Sequence, residues 1–171
     1  IMFVGEAPGI NEDKQGLPFV GQAGHLLEEL LKDIGLRRED VYITNIVKCR
    51  PPENRDPLAD EIQACEPYLD EQLAVFNPRM VVTLGRYSMA KFFPGGMISK
   101  IHGQPKRADN RIYYPLYHPA AVLRSDALRP VMTADFRKIP ALLEEAEAMA
   151  ESDQKKETDQ EPDAPRQTSM F

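Results

Sequence analysis

The sequence predicts an α/β protein, built as a three-layer α/β/α sandwich around a four-stranded parallel sheet. Four short apolar runs are separated by segments with helical periodicity, and this alternation is typical of parallel sheets. The runs lack the polar alternation of a strand with one wet face, so helices should cover both faces of the sheet. The chain has 171 residues, of which 42% are apolar, and this is enough for one core.

In the first half of the chain, "IMFVG" (1–5) is predicted as a buried strand and residues 5–21 as a long loop. The segment "GHLLEELLKDIG" (24–35) has apolar residues at helical spacing and ends on a glycine, which predicts a helix. The segment "VYITNIVKC" (41–49) is β-branched and continuous, which predicts a central strand. A Pro-rich loop follows at 49–57.

In the second half, a helix is predicted from Asp60 to Phe76, because Asn77-Pro78 stops it. The remaining predicted elements are a strand at 79–85, a short helix at 86–93, a loop with room for a hairpin at 94–110, a strand at 111–117 and a last helix at 133–149.

We expect one domain at residues 1–149 and a disordered acidic tail at 150–171, where large apolar residues are almost absent. The net charge is −6, and the 9 acidic and 3 basic residues from Glu144 onward account for all of it. The rest of the chain carries 18 residues of each sign, so its charge does not exclude a nucleic-acid partner. No apolar run has membrane length, so we expect no membrane partner. We also expect a monomer.

Three polar loops should converge on one cleft, because each follows a parallel strand, after Gly5, Thr44 and Tyr117. The first loop has neither glycine pattern that binds dinucleotides or phosphates, and its Glu6 would repel a phosphate. An enzyme with a nucleotide cofactor is therefore disfavoured. The glycines let backbone approach a ligand closely, and Phe19 offers a face for stacking. This combination suits a flat, polar, uncharged ligand such as a nucleobase.

Three ordered motifs resemble those of the type-4 uracil-DNA glycosylases: "GEAPG" with "PFVGQAG" in the first loop, "TNIVKCRPP" at the second strand and "HPAAVLR" after the fourth. The resemblance covers residues 1–143. It implies a monofunctional hydrolase that flips uracil out of DNA, cleaves its N-glycosidic bond, leaves an abasic site and so starts base-excision repair. It also implies a structural 4Fe-4S cluster. Only two thiols are present, which fits the reducing cytoplasm of a prokaryotic cell, where such an enzyme would work at the nucleoid.

The resemblance implies a uracil pocket built from all three loops: Glu6, Ala7, Pro8, Phe19, Asn45 and His118. Phe19 would stack on the base. Asn45 would donate to O4 and accept from N3–H, which cytosine cannot match; the alternative is a structural residue at the strand end. His118 would donate to O2, where negative charge grows as the bond breaks.

The resemblance also implies that Glu6, with the Ala7 backbone, positions or activates the water that attacks C1′ of the sugar. A role in fixing the loop is the alternative for Glu6. Glu12 and Asp13 are second candidates for this carboxylate, but we expect that they hold the shape of the loop instead.

On the DNA side, the loop after His118 resembles one that enters the minor groove, where Leu123, or Val122, fills the gap left by the flipped nucleotide. Inward packing of this apolar pair is the alternative. Candidate contacts to the DNA backbone are Arg50, Asn54, Arg55 and Arg124.

The cysteines Cys49 and Cys65 are, by themselves, compatible with two unrelated reduced thiols. The resemblance implies that they supply two of the four ligands of the cluster, with the other two upstream of residue 1. Because the sequence opens on Ile1 inside a predicted strand, we expect the natural protein to have such upstream residues.

At the other end, "QTSMF" resembles short peptides that bind the sliding clamps of replication, with Gln167, Met170 and Phe171 as anchors. A chance match is the alternative. For the whole chain, the alternative to an enzyme is a catalytically silent domain of the same fold that binds DNA or senses uracil. The joint presence of the three polar pocket residues favours the enzyme.

Overall fold

The computed structural model describes residues 1–159, and side chains as far as residue 152. Within this part, one sheet has the strand order β2-β1-β3-β5-β4. The strands are β1 (Met2–Gly5), β2 (Tyr42–Asn45), β3 (Met80–Leu84), β4 (Lys106–Ala108) and β5 (Arg111–Leu116). The first four in the sheet order pair in parallel, and β4 is antiparallel to β5.

The helices lie between these strands and after them. They are α1 (Ile10–Gln15), α2 (Gln22–Asp33), α3 (Ala59–Phe76), α4 (Arg86–Phe92), α5 (Ile98–Ile101), α6 (Pro119–Arg124), α7 (Leu128–Phe136) and α8 (Ile139–Asp159). None of the described helices is both long and apolar enough to span a bilayer.

Two apolar cores lie on opposite faces of the sheet, because successive strand residues point to opposite sides. Phe3 of β1 packs on one side in a core with α2, α7 and α8. Val4, its neighbour, packs on the other side with Leu69 and Leu73 of α3. The predicted three-layer α/β/α sandwich is therefore confirmed.

The sheet differs from the prediction in two respects. It has a fifth strand, because β4 and β5 form a hairpin around Asp109 and Asn110, whose φ angles of 53° and 56° suit a tight hairpin turn. In addition, β2 is an edge strand and not a central one. The long apolar run predicted a central strand, but its last apolar residues, Ile46 and Val47, lie beyond β2 and are buried against α3.

The helices differ from the prediction as well. The first loop contains α1, the segment after His118 contains α6, and the predicted last helix is divided into α7 and α8. Helix α8 continues to Asp159, so residues 150–159 are helical where a disordered tail was predicted. This stretch is rich in Glu, Lys and Gln, which favour helices although they are polar. The candidate clamp peptide at 167–171 lies outside the described residues.

Candidate active site

The three polar loops do converge at the carboxyl ends of β1, β2 and β5, around a cavity of about 340 Å³. All of the residues predicted to form the uracil pocket line it: Glu6, Ala7, Pro8, Phe19, Asn45 and His118. Three of the candidate DNA contacts, Asn54, Arg55 and Arg124, lie at the same cavity. A cavity of this size, with a few convergent polar groups, is typical of a small-ligand site.

Phe19 is 4% exposed and adopts φ 53°, a left-handed conformation that costs a bulky residue on the order of 1–3 kcal/mol. The surrounding backbone is held from two sides. The Arg38 guanidinium donates to the carbonyl of Phe19 at 2.8 Å and also to that of Pro18. Oε1 of Glu12 accepts from the backbone N–H groups of Val20 and Gly21 at 2.9 and 2.8 Å. These bonds fix the ring that is proposed to stack on a base.

Glu12 therefore holds the shape of the loop, as the sequence predicted, whereas Arg38 was missed. The Arg38 side chain reaches its partners from about twenty positions along the chain. No local pattern in the sequence gives a signal for such a contact.

Asn45 ends β2 and is 5% exposed. Its Oδ1 is buried and accepts no hydrogen bond from any described residue. A Cβ placed on Gly5, which pairs with Asn45 across the sheet, would overlap both this Oδ1 and the ring of Phe19. The free acceptor thus lies beside the stacking ring. Leaving such a group unsatisfied costs about 1–3 kcal/mol, which a ligand N–H would recover.

Lys48 fixes the backbone of Asn45 and was also missed. Its Nζ donates to the Asn45 carbonyl at 2.7 Å, to Thr44 Oγ1 at 3.0 Å and to Gln72 Oε1 at 2.7 Å. Burial lowers the pKa of this ammonium to about 8. A second cavity of about 380 Å³ lies on this side of Asn45, but Glu6, Phe19 and His118 do not line it.

His118 caps the N-terminus of α6. Its Nδ1 accepts from the backbone N–H of Ala120 at 3.1 Å, so in a neutral ring the proton sits on Nε2. Burial lowers the pKa of His118 to about 4, with a further lowering by the charge of Arg124. The ring lies 5.5 Å from that of Phe19, centroid to centroid. At neutral pH the site therefore contains an uncharged Nε2–H donor.

Glu6 follows β1 directly, and its Oε1 accepts from the backbone N–H of Tyr87 at 3.2 Å. Burial raises the pKa of Glu6, while the Tyr87 N–H and the charge of Arg86 oppose this and the charge of Asp56 adds to it. A carboxylate with a raised pKa is a stronger base than an exposed one.

Gly85 separates Glu6 from His118. It has φ 101°, and a Cβ at this position would overlap the Glu6 carboxylate and lie 3.1 Å from His118 Cβ. Only glycine combines this backbone conformation with this space. The sequence shows the glycine at the end of the third apolar run, but not that it faces two residues from other loops.

At the DNA side, Leu123 is 48% exposed, whereas Val122 is 3% exposed and belongs to the core. The alternative of Val122 as the wedge is therefore wrong, and Leu123 stays the candidate. Arg55 forms a two-pronged ion pair with Glu61, at 2.9 and 2.6 Å. Arg50 donates to Asn54 Oδ1 at 2.7 Å. The roles of these side chains at a phosphate remain predictions.

Cys65 contacts the segment that carries Cys49. Sγ of Cys65, on α3, accepts from the backbone N–H of Lys48 at 3.3 Å, and Lys48 is the chain neighbour of Cys49. Cys49 is exposed and Cys65 is partly buried. Among the described residues no group of three or more metal-binding side chains occurs. The Cys65 thiol therefore lies at the segment that carries Cys49, which fits two of the ligands of a four-thiolate cluster.

The fold and the site define a member of the uracil-DNA glycosylase superfamily, and the family model described as "Uracil DNA glycosylase superfamily" matches residues 1–143. Among curated relatives, the type-4 uracil-DNA glycosylase of Sulfurisphaera tokodaii is 51% identical, over 83% of this chain and 69% of that protein. Those of Saccharolobus solfataricus and Archaeoglobus fulgidus are 50% and 48% identical, over 84% and 83% of this chain and 71% and 76% of theirs. The chain belongs to the type-4 uracil-DNA glycosylases.

Proposed function

We propose that this chain removes uracil from DNA by hydrolysing the N-glycosidic bond, leaves an abasic site and so initiates base-excision repair. The main support is the buried, unpartnered Oδ1 of Asn45 beside the ring of Phe19. An acceptor in that position calls for a flat ligand that carries an N–H group on its edge. Relatives that cover most of this chain are named for the same activity.

Uracil supplies the hydrogen-bond partners that the Asn45 side chain lacks. Its N3–H donates to Asn45 Oδ1, and the Asn45 amide donates to O4. Cytosine has no proton at N3 and carries an amino donor at C4, so both bonds fail and a buried acceptor stays unpaired. The bond from Lys48 to the Asn45 carbonyl fixes the backbone at this position, so the residue cannot shift away from a mismatched base.

His118 acts on the leaving base. As the C1′–N1 bond breaks, its electron pair moves into the uracil ring and negative charge collects on O2. The neutral imidazole donates Nε2–H to that oxygen and stabilises the anion without giving up its proton. A donor fixed in advance needs no reorganisation during the reaction.

Glu6 acts on the sugar side. Departure of the uracil anion leaves an oxocarbenium-like sugar, which the adjacent carboxylate stabilises. A water held by Glu6 and the Ala7 backbone adds its oxygen to C1′ and passes a proton to Glu6, and the departing base is later protonated by solvent. The reaction needs no amine nucleophile, which agrees with a monofunctional enzyme.

The test is cleavage of oligonucleotides that contain one uracil or, in matched controls, one thymine or cytosine. Alkali converts an abasic site into a strand break, so we expect breaks at uracil alone. The double variant that carries both Glu6→Gln and His118→Ala should produce no breaks. Specific binding of uracil-containing DNA without breaks would instead support the catalytically silent alternative.

We further propose that Cys49 and Cys65 hold two corners of a structural 4Fe-4S cluster. The cluster would cross-link α3 to the segment after β2 and need not take part in the hydrolysis, which is not a redox reaction. The support is the contact of Cys65 Sγ with the backbone next to Cys49, together with the family membership. Iron and sulfide analysis of the purified full-length protein, with Cys65→Ser as the comparison, tests it. Loss of iron and of visible absorption in the variant is expected.

We also propose that Leu123 is the wedge of the DNA complex, that the enzyme works as a cytoplasmic monomer, and that Gln167, Met170 and Phe171 anchor it to a sliding clamp. The exposure of Leu123 supports the first point, and the two free thiols fit the reducing cytoplasm of the second. Clamp pull-down by full-length protein, but not by a chain ending at residue 166, would support the third. The deletion should leave cleavage of short oligonucleotides unchanged.

A further inference from the structure

A cluster of polar side chains lies beneath the strand end that carries His118 and has no part in the chemistry above. At its centre is Asp135 of α7, which is 4% exposed. Its Oδ2 lies 2.7 Å from Nδ1 of His102, and its Oδ1 accepts from Lys138 Nζ at 2.8 Å. A carboxylate this deeply buried needs such partners, and their removal leaves it unsatisfied.

The same cluster is joined to β5 by two hydrogen bonds. The Tyr114 hydroxyl, on β5, donates to the Asp135 carbonyl at 3.0 Å. The N–H of Gly103, next to His102, donates to the carbonyl of Pro115 at 2.8 Å. A Cβ on Gly103 would overlap Asp135 Oδ1, so the turn after α5 lies directly on the carboxylate. Helix α7, this turn and the carboxyl end of β5 therefore form one packed unit.

From this unit the His102 ring reaches the last residue before the site. It packs on the ring of Tyr117 with a centroid separation of 4.7 Å and a 36° tilt. Tyr117 immediately precedes His118, whose backbone begins α6. The contact between His102 and Tyr117 therefore connects this packed unit to the residue that directly precedes His118.

We propose that His102, held by Asp135, is a positioning residue for His118 and acts through the ring of Tyr117. This inference rests on the proposed function, in which His118 donates to the uracil O2. Misplacement of a catalytic group by about 1 Å can cost about 100-fold in rate. We therefore expect loss of the His102 ring to slow uracil excision about 10- to 100-fold while DNA binding stays within about twofold.

The experiment is a double-mutant cycle in the full chain with His102→Ala, Tyr117→Ala and the pair, measured as single-turnover excision. We expect each single variant to lose rate and the double variant to be no slower than the slower single one. Tyr117→Phe, which keeps the ring, should retain the parent rate. The control is Arg137→Ala, which removes an ion pair with Asp33 at the end of the same helix without touching Tyr117. It should leave the rate unchanged.

A second readout does not depend on cleavage. The ring nitrogens of His118, observed by nitrogen-15 NMR, should shift in His102→Ala and Tyr117→Ala but not in Arg137→Ala. If the parent chain cleaves no uracil, the proposed function fails, and the NMR comparison still decides the positioning role. His102→Gln keeps a donor for Asp135 but lacks the ring, so it serves if the alanine variant does not fold, and the same losses are expected. Additive rate losses, or an unchanged His118 spectrum in the folded His102 variant, would overturn the proposal.

Discussion

The base-reading side of the cavity and its DNA-facing rim are held by different kinds of interaction. Phe19 and Asn45 are buried. Arg38 and Lys48 donate to their backbone carbonyls, and Glu12 accepts from the N–H groups of Val20 and Gly21 next to Phe19. The rim at residues 50–57 is tied mainly by ion pairs of exposed side chains, such as Arg55 with Glu61. The pocket bonds join partly buried charged side chains to backbone groups and are screened less by salt than the rim's ion pairs, which join exposed side chains and are weak. The pocket is thus fixed before a base arrives, whereas the DNA contacts predicted for the rim would require its ion pairs to exchange a partner for phosphate.

The largest effect is expected when the buried Nε2–H donor of His118 is removed. His118→Ala should lower single-turnover uracil excision by about 10²- to 10³-fold, because one fixed donor to the developing anion is lost. Binding of uracil-containing DNA should change by only a few-fold, since the rim is intact. His25→Ala, which removes an exposed histidine on α2, is the matched control. An equal loss in rate and in binding would show that His118 is a binding residue only.

The buried histidine should also appear in the pH dependence of stability. Its pKa is about 4 in the folded protein against an ordinary value of 6.5, so protons bind the unfolded chain more readily. The contribution of the neutral ring to the free energy of unfolding is complete above pH 6.5 and is lost as the pH falls towards 4. It amounts to about 3 kcal/mol at most. Urea unfolding of the parent and of His118→Asn from pH 7.5 to 4 measures it, and parallel curves for the two proteins would contradict the assignment.

Asn45→Asp tests the reading of the base edge. A carboxylate keeps an acceptor for N3–H but loses the donor to O4, and it is poorly tolerated without charge partners. We expect uracil excision to fall about 10- to 100-fold and the ratio of uracil to cytosine rates to fall as well. Asn54→Asp, a change of the same type at the rim, should leave that ratio unchanged. Full discrimination in Asn45→Asp would mean that Asn45 is structural.

Much of this site was predictable from the sequence because its chemistry is local to strand ends. Asn45 and His118 each follow an apolar run, and parallel strands bring such positions to one edge. The residues that orient them were not predictable. Arg38 and Gly85 act through contacts between segments that are distant in the chain. No periodic pattern in the sequence indicates such contacts. The edge position of β2 was missed for the same reason, since strand order depends on pairing across the fold.

A smaller effect, on the pH dependence of the rate, is expected at Glu6, where the base-reading side of the cavity meets the rim. The carboxylate must be ionised to hold the water, so the rate falls as the pH drops through its raised pKa. Arg86 stabilises the carboxylate and Asp56 opposes it, and these two side chains pair with each other. Arg86→Ala should therefore move the acidic limb of kcat/KM to higher pH, and Asp56→Asn should move it to lower pH. The double variant should return close to the parent profile. Shifts in the same direction for both single variants would rule out Glu6 as the group that titrates.

The smallest effects should come from the rim itself, and they decide whether its ion pairs exchange for phosphates. Arg55→Ala should weaken binding of DNA only a few-fold and lower the slope of log Kd against log salt by about one, the loss of one phosphate contact. Glu61→Ala removes the competing carboxylate at 2.6 Å, so binding should be unchanged or slightly tighter, with the slope retained. Single-turnover excision at saturating protein should equal the parent rate in both variants, because neither side chain lies on the base-reading side of the cavity. If instead Glu61→Ala weakens binding as much as Arg55→Ala does, the pair acts as a structural brace of the segment 50–57, and the rim is as fixed as the pocket.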